Sequence, residues 1–206
     1  MTEPTGTVSD DAPMTDADVL SAFEDSGAIL TGHFVLTSGR HSGRYVQCAR
    51  VLEDPALTTR LAREMVRRLG DAAATVDLVA APAVGGIVIG FAVAQALCTR
   101  FIFSEREQGA MTLRRGFTVP AGARVLVVED VVTTGGSVAE LISLVTAAGG
   151  EVVGVASLID RGGEKAFGGM FQPLLRLQVD SWHADECALC AVGSPMTSPG
   201  SRRLGA

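Results

Sequence analysis

The chain has 206 residues, enough for one domain with a full core, and its hydrophobic content of 47% excludes an intrinsically disordered protein. The formal net charge of −6 at pH 7 argues against a nucleic-acid partner, so any anion site must be local. Of the 17 lysine and arginine residues only Lys165 is a lysine, so phosphate contacts must come from guanidinium groups and backbone amides.

The N-terminal segment 1–14 is small, polar and acidic, which predicts a disordered tail. No basic stretch precedes Arg40, so a signal peptide is not expected. The stretch from Leu78 to Cys98 is apolar enough to be considered as a membrane span, but Pro82 and the Gly85-Gly86 pair interrupt it. It divides into a buried strand, a loop and a buried helix, so we expect a cytoplasmic protein with no membrane segment.

The remaining elements follow from apolar periodicity. Thr15 and Asp18 have the spacing of a capping box, which predicts a helix that ends near Gly27. The segment 32–46 has the pattern of two short strands around a turn of glycine and serine. Leu61, Met65, Val66 and Leu69 form a helical stripe, and the other face, which is expected to be solvated, carries mostly Arg60, Arg63, Arg67 and Arg68. Buried strands are expected at 76–81, 101–103, 125–128, 152–159 and 170–179. Strands alternating with helices predict an α/β fold with a parallel sheet, and such sheets bind ligands at the carboxyl ends of their strands.

The central stretch joins a buried strand, 125–128, to a helix whose apolar stripe includes Val138 and Leu141. Glu129 and Asp130 fall where that strand should end, and the small residues 133–137 open the helix. Backbone N–H groups at such a turn can hold a phosphate, and two adjacent carboxylates can bind sugar hydroxyls. A phosphorylated ribose fits this set best. The sequence contains neither a Gly-x-Gly fingerprint nor the Gly-Lys-Ser/Thr of a P-loop.

The stretch 129–137, Glu-Asp-Val-Val-Thr-Thr-Gly-Gly-Ser, resembles the phosphoribosyl-pyrophosphate (PRPP) motif of type I phosphoribosyltransferases. The resemblance implies that PRPP is bound by Glu129, Asp130, Val131, Val132, Thr133, Thr134, Gly135, Gly136 and Ser137. The two acidic residues would hold the ribose hydroxyls and favour the oxocarbenium-like cation that forms as pyrophosphate leaves. Residues 133–137 would hold the 5′-phosphate. An ordinary β–α turn with a fortuitous acidic pair is the alternative interpretation of this stretch.

Other segments resemble the orotate phosphoribosyltransferases, from about Ala22 to the end of the chain. The family pattern Phe-x-Leu-x-Ser-Gly-Arg is matched by Phe34, Leu36, Ser38, Gly39 and Arg40. It implies a small N-terminal hood over about 15–50, a core over about 55–180 and a tail over 181–206 within one domain. Tyr45 would lie against the base, and Thr37 replaces a lysine that the family often carries. We assign no role to His33 or His41.

The resemblance also assigns the diphosphate site. Gly85 lies in the family's pyrophosphate-binding loop, although the aromatic residue and lysine often found there are absent, so only backbone contacts are expected. The segment 104–117 resembles the family's mobile catalytic loop, with Arg106 and either Arg114 or Arg115 offsetting the charge of the leaving diphosphate. The alternative is an exposed β-hairpin with solvated charges.

Arg161 follows the strand-end residue Asp160, where the family places an arginine against the carboxylate of orotate. Together with Thr133 and Tyr45 it would form the orotate site. The implied reaction joins orotate and PRPP to give orotidine 5′-monophosphate and pyrophosphate in pyrimidine-nucleotide synthesis, with Mg²⁺ held mainly by PRPP rather than by protein ligands. The implied assembly is a homodimer with shared active sites, in which the loop 104–117, including Arg106, acts on the neighbouring subunit's site. A purine-base phosphoribosyltransferase and a non-catalytic PRPP-sensing regulator remain alternatives.

Four cysteines are too few for a disulfide framework in a chain of this size. Cys187 and Cys190 form a single Cys-x-x-Cys motif, which allows half of a zinc site with His183 as a third ligand, a redox pair, or plain reduced thiols. Cys48 and Cys98 are expected to be core or near-core thiols.

Overall fold

The apolar run in the middle of the chain forms the centre of a six-stranded sheet. The computed structural model describes residues 12–36 and 38–198. The strands of the protein are β1 Ile29–Val35, β2 His41–Val46, β3 Leu78–Pro82, β4 Arg100–Glu107, β5 Ala110–Leu113, β6 Arg124–Val132, β7 Glu151–Asp160, β8 Phe171–Arg176 and β9 Met196–Thr197. The helices are α1 Asp16–Asp25, α2 Ala49–Leu52, α3 Pro55–Leu69, α4 Gly86–Ala96, α5 Gly136–Ala147, α6 Glu164–Phe167 and α7 Ala188–Ala191. Short 3₁₀ turns cover Gly70–Thr75, Gly168–Met170 and Ala184–Glu186.

The large sheet has the strand order β5-β4-β3-β6-β7-β8. All its neighbouring strands are parallel except β5, which pairs antiparallel with β4 at one edge. The strand order reverses between β3 and β6, because the chain moves outward on one side of β3 and later returns to its other side. In an open α/β sheet, a crevice for ligands opens at this point, outside the carboxyl ends of the strands.

Both faces of the large sheet are buried, as the unbroken apolar run of β6 predicts. Leu126 and Val128 belong to a core cluster that also contains residues of α1, α3 and α4. Val125 and Val127 face the opposite way and pack in a second cluster with residues of α5. The α/β fold with a largely parallel sheet flanked by helices is therefore confirmed.

The predicted hood is completed by the C-terminal part of the chain. Strands β1 and β2 pair antiparallel, and β9 adds a third strand parallel to β1, so a small sheet has the order β2-β1-β9. Arg40 of the hood donates a hydrogen bond of 2.9 Å from Nε to Ser181 Oγ. His41 and Trp182 exchange backbone hydrogen bonds of 2.8 Å. The tail is thus part of the hood.

Helix α1 begins with the predicted capping box, in which Thr15 Oγ1 accepts from Asp18 N and the Asp18 carboxylate accepts from Thr15 N. Met14, which falls in the predicted disordered tail, is instead buried, and its N–H donates to Glu64 Oε2 at 3.0 Å. Arg68 was expected on the solvated face of α3, but it is largely buried and pairs with Glu64 and Asp16. This ion-pair network fastens α1 to α3.

Predictions about residues 1–11, Thr37 and 199–206 concern positions outside the described residues. Within the described part of the chain, no helix has both the length and the apolar character needed to span a membrane. The stretch from Leu78 to Cys98 forms a buried strand, a loop and a helix, as expected.

Candidate active site

The reversal of strand order brings the loop after β3 against the end of β6. A Cβ atom on Gly85 would lie 2.6 Å from both carboxylate oxygens of Asp130, so only glycine allows this approach. Gly86 is similarly close to Glu129 Oε1, at 3.1 Å from its hypothetical Cβ. The Ala83–Val84 peptide bond in this loop is cis. The predicted diphosphate loop and the predicted ribose carboxylates therefore meet in one place.

The two acidic residues differ in environment. Strand β6 continues through Val132, two residues beyond the acidic pair. Within it, the Glu129 side chain is buried, whereas Asp130 is half-buried. Burial, reinforced by the neighbouring charge of Asp130, raises the pKa of Glu129 to about 9. Glu129 is therefore protonated at neutral pH in the free protein. Glu129 therefore contributes no negative charge to the pair.

The small-residue turn encloses a cavity of about 240 Å³, called here the phosphate-loop cavity, which is lined by the segment 131–138 with Arg106, Glu129 and Glu140. Gly135 adopts a left-handed conformation with φ of 79°, and a Cβ atom there would lie 2.6 Å from the Phe167 ring. Both constraints require glycine at this position. The first N–H groups of α5 have no partner within the helix, so they can bind an anion at this cavity.

The segment 104–117 contains the hairpin of β4 and β5. This corresponds to the alternative interpretation of the segment rather than to the expected loop. Arg106 lines the phosphate-loop cavity and donates two hydrogen bonds to Glu140, of 2.7 and 2.9 Å. Arg115 forms an equivalent pair with Glu105, and Arg114 lies 3.7 Å from Glu107. Neither Arg114 nor Arg115 lines either of the two cavities described here.

A larger cavity of about 1080 Å³, the base cavity, opens on the other side of Asp130. The predicted orotate residues Tyr45, Thr133 and Arg161 all line it, together with Gly85. Tyr45 is half-buried and packs against Phe34 with ring centroids 5.7 Å apart. Because Asp130 lines the base cavity and Glu129 lines the phosphate-loop cavity, the acidic pair lies between the two.

Among the described residues that line the base cavity, Arg161 is the cationic one. Its Nε atom is buried, and no described residue accepts a hydrogen bond from it. Burial also lowers the pKa of Arg161, a sign that its charge is poorly compensated. A buried guanidinium N–H without a partner is costly, so a ligand carboxylate at this position would satisfy it.

Asp160 fixes the turn that follows Arg161, a role not expected from the sequence. Its buried carboxylate accepts hydrogen bonds from the N–H groups of Gly162 and Gly163, of 2.8 and 2.6 Å. The backbone N–H of Arg161 itself donates to Val132 O at 2.8 Å. The strand-end aspartate followed by Arg-Gly-Gly is the signal that could have identified this turn, because carboxylates cap such glycine-rich turns.

Comparison with known proteins agrees with this geometry. A family model described as a phosphoribosyl transferase domain matches residues 49–168. The chain therefore belongs to the phosphoribosyltransferase family.

Two curated relatives are similar over nearly their whole length. An orotate phosphoribosyltransferase of Heliobacterium modesticaldum is 52% identical over 190 residues, covering 92% of this chain and 100% of that protein. One from Chlorobium phaeobacteroides is 48% identical over 187 residues, covering 90% and 96%. The crystal structure of the orotate phosphoribosyltransferase from Aeropyrum pernix matches with a TM-score of 0.70 at 27% identity, covering 77% of this chain and 93% of that one.

Proposed function

We propose that this protein transfers the 5-phosphoribosyl group from PRPP to orotate, giving orotidine 5′-monophosphate and pyrophosphate on the route to UMP. The observation that carries the proposal is the buried, unpartnered Nε of Arg161 in a cavity shared with Tyr45 and Thr133, next to the acidic pair. A planar carboxylate is the acceptor that a guanidinium fork fits best. The names of the similar proteins support the same substrate.

The chain's own residues would act by positioning and charge stabilisation, and no covalent nucleophile is required. The N–H groups of residues 133–137 would hold the 5′-phosphate in the phosphate-loop cavity, and the loop at Gly85 would receive the diphosphate. Asp130 would accept hydrogen bonds from the ribose hydroxyls and stabilise the positive charge that develops at the ribose. Glu129, being protonated, would donate a hydrogen bond to an oxygen of the substrate.

The proposal includes Mg²⁺ bound together with PRPP. Asp130 and the hydroxyl of Thr133 present oxygen atoms, which are the ligands this hard ion prefers. Among the described residues, the one group of three or more His, Cys, Asp or Glu side chains with metal-binding geometry lies elsewhere, so PRPP and water would supply most of the ligands. When bound, Mg²⁺ offsets the charge of the diphosphate. The oxygen atoms of Asp130 and Thr133 fit the binding of this ion.

The proposed enzyme is a homodimer. Val84, just before α4, and Val88 and Phe91 in its first two turns are exposed, with exposed fractions of 81%, 47% and 59%. An exposed apolar face of this kind is typical of an interface. Arg106 lines the cavity of its own chain, whereas Arg114 and Arg115 line neither cavity. In place of a loop that serves the partner throughout, we therefore propose that Arg114 and Arg115 serve the partner's site and Arg106 its own.

The two alternatives are weaker on specific grounds. A purine base carries no carboxylate and would leave Arg161 Nε unsatisfied. A PRPP-sensing regulator would need a nucleic-acid-binding face, which the net charge of −6 disfavours.

A panel of bases with PRPP and Mg²⁺ tests the proposal, with pyrophosphate release as the measurement. Orotate should support release, while uracil, adenine, hypoxanthine and guanine should not. Uracil is the sharpest control, because it lacks only the carboxylate. Release with a purine but not with orotate would overturn the assignment, and no release with any base would favour the regulator.

A further inference from the structure

A compact group of metal-binding side chains lies outside the candidate active site. The group consists of His33 on β1, His41 at the start of β2, Cys187 immediately before α7 and Cys190 within α7. Each residue places one ligand atom within 4.8 Å of all the others. The two histidines have no role assigned from the sequence, which offers His183 as a possible third ligand beside the Cys-x-x-Cys motif. His183 is exposed and is not part of this group.

We propose that these four residues bind a structural Zn²⁺ ion, a site independent of the proposed catalytic function. Zinc bonds of about 2.0–2.1 Å to nitrogen and 2.3 Å to sulfur place tetrahedral N and S ligands roughly 3.5 Å apart. The distances from His33 Nε2 to the sulfurs of Cys187 and Cys190 are 3.5 and 3.6 Å. Cys190 Sγ lies 3.2 Å from His41 Nδ1, and the two imidazole nitrogens are 2.9 Å apart. Only slight opening of the group would accommodate the ion.

The hydrogen bond made by the other nitrogen of His33 prepares it as a ligand. Nδ1 of His33 lies 2.9 Å from the carbonyl oxygen of Ser194. Since a carbonyl can only accept, Nδ1 carries the proton, and Nε2 therefore presents its lone pair to the other three ligand atoms. Metal-binding histidines in proteins are held by this same kind of outer hydrogen bond.

The composition of the group indicates a structural rather than a catalytic site. Four protein ligands complete a tetrahedral shell and leave no open position for substrate. His33, His41 and Cys187 are all buried, with exposed fractions of 2%, 6% and 3%. Without a metal, the contacts within the group are one hydrogen bond between the two imidazoles and weaker contacts of the sulfurs with the ring nitrogens. A bound cation with two thiolates satisfies all four at once.

The ion would fasten the tail to the hood. In the part of the chain that the structure describes, strand β9 pairs with β1 through two residue pairs, His33 with Met196 and Phe34 with Thr197. A sheet this small buries little apolar area, and small elements of this kind commonly depend on a metal for their stability. Hood residues Val35 and Leu36 and tail residue Ser181 line the base cavity, so the ion would maintain one wall of that cavity.

Cobalt(II) titration of the demetallated wild-type full-length protein is the first test. We expect about one Co²⁺ per chain, with the visible d–d bands of tetrahedral coordination and thiolate charge-transfer absorption, and displacement by Zn²⁺. This measurement needs no variant, so it decides the question even if altered proteins fail to fold. The absence of a tetrahedral spectrum, or its presence without thiolate bands, would refute the site.

Variants then assign the ligands. Zinc content should fall from about one ion per chain to near zero in Cys187→Ser and Cys190→Ser, and it should stay unchanged in His183→Ala and Cys98→Ser. Removing zinc with a chelator should lower the Tm of the wild-type protein by roughly 5–10 °C. The same treatment should change the Tm of Cys187→Ser little. A Cys187–Cys190 disulfide in freshly purified protein that binds no zinc after reduction would establish the redox interpretation and overturn the proposal.

Discussion

Arg106 and Glu140 form a two-bond ion pair at the edge of the phosphate-loop cavity, with N···O distances of 2.7 and 2.9 Å. The pair links the hairpin of β4 and β5 to helix α5, whose N-terminus would hold the 5′-phosphate. To offset the charge of the leaving group, Arg106 must break its contacts with Glu140 and bind the diphosphate of PRPP instead. Glu140 therefore competes with the substrate for the same guanidinium.

Arg106→Ala is expected to lower kcat/KM for PRPP by about a hundredfold, since removal of one preorganised donor commonly has an effect of this size. Glu140→Gln should have the opposite sign and reduce the KM for PRPP, by at most about fivefold because exposed ion pairs are weak. Steady-state kinetics with varied PRPP measure both. A KM for PRPP that rises in Glu140→Gln would show that the ion pair is required in the bound state.

Subunit mixing can test which hairpin arginines serve the partner's site and which serve their own. Asp130→Asn and the double variant Arg114→Ala/Arg115→Ala should each be nearly inactive. After random exchange about half the dimers are mixed and one site in two is intact, so roughly a quarter of wild-type activity should return. The matched control mixes Asp130→Asn with Arg106→Ala, and this mixture should stay inactive because Arg106 serves its own chain. Recovery in the control mixture alone would reverse the assignment.

Asp130→Asn should reduce kcat by on the order of a hundredfold at saturating PRPP, with Tm nearly unchanged. The amide can still bond a hydroxyl, but it carries no charge to stabilise the developing cation. Glu151→Gln provides a control, because this residue is exposed at the start of β7. Turnover of Asp130→Asn within a few-fold of wild type would remove Asp130 from the mechanism.

The raised pKa of Glu129 predicts a pH-dependent stability. Its pKa in the folded protein is about 9, above the ordinary value of 4.5, so the folded state holds a proton that the unfolded state releases between these values. The free energy of unfolding should therefore fall as pH rises from about 5 to 9, by at most about 1.4 kcal/mol per pH unit.

Glu129→Gln removes this dependence, since its amide is neutral throughout. The Tm of the variant should accordingly rise relative to wild type between pH 5 and pH 8, as measured by thermal unfolding of the substrate-free protein. Glu151→Gln should follow wild type over the same range. Parallel Tm curves for Glu129→Gln and wild type would mean that Glu129 is ionised in the folded state.

Local pattern was enough to predict the central strand, the helix that follows it and the small-residue turn between them. Val125–Val128 and Val138, Leu141 and Val145 are buried as their periodicity requires. The local pattern could not predict the environment of a side chain where distant parts of the chain create that environment. Glu129 is neutral only because folding buries it beside Asp130, and no sequence spacing encodes that burial.

The zinc-binding group illustrates the same limit over a longer range. Cys187 meets His33, 154 residues earlier, only because the tail returns to pair with the hood. The histidine nearest to the Cys-x-x-Cys motif in sequence is His183, but it is exposed. Arg68 was likewise placed in solvent because its partner Asp16 lies on another helix.

The most direct test of orotate as the substrate is the pair of Michaelis constants in Arg161→Ala. Loss of the guanidinium should raise the KM for orotate by about 30-fold or more, the effect of removing one half of a desolvated charge-assisted pair, roughly 2–5 kcal/mol. The KM for PRPP should change little, and Arg100→Ala, which alters an exposed arginine at the start of β4, should leave both constants near wild type. Equal increases in both Michaelis constants of Arg161→Ala would contradict the account, because they would make Arg161 a structural residue rather than the group that recognises the orotate carboxylate.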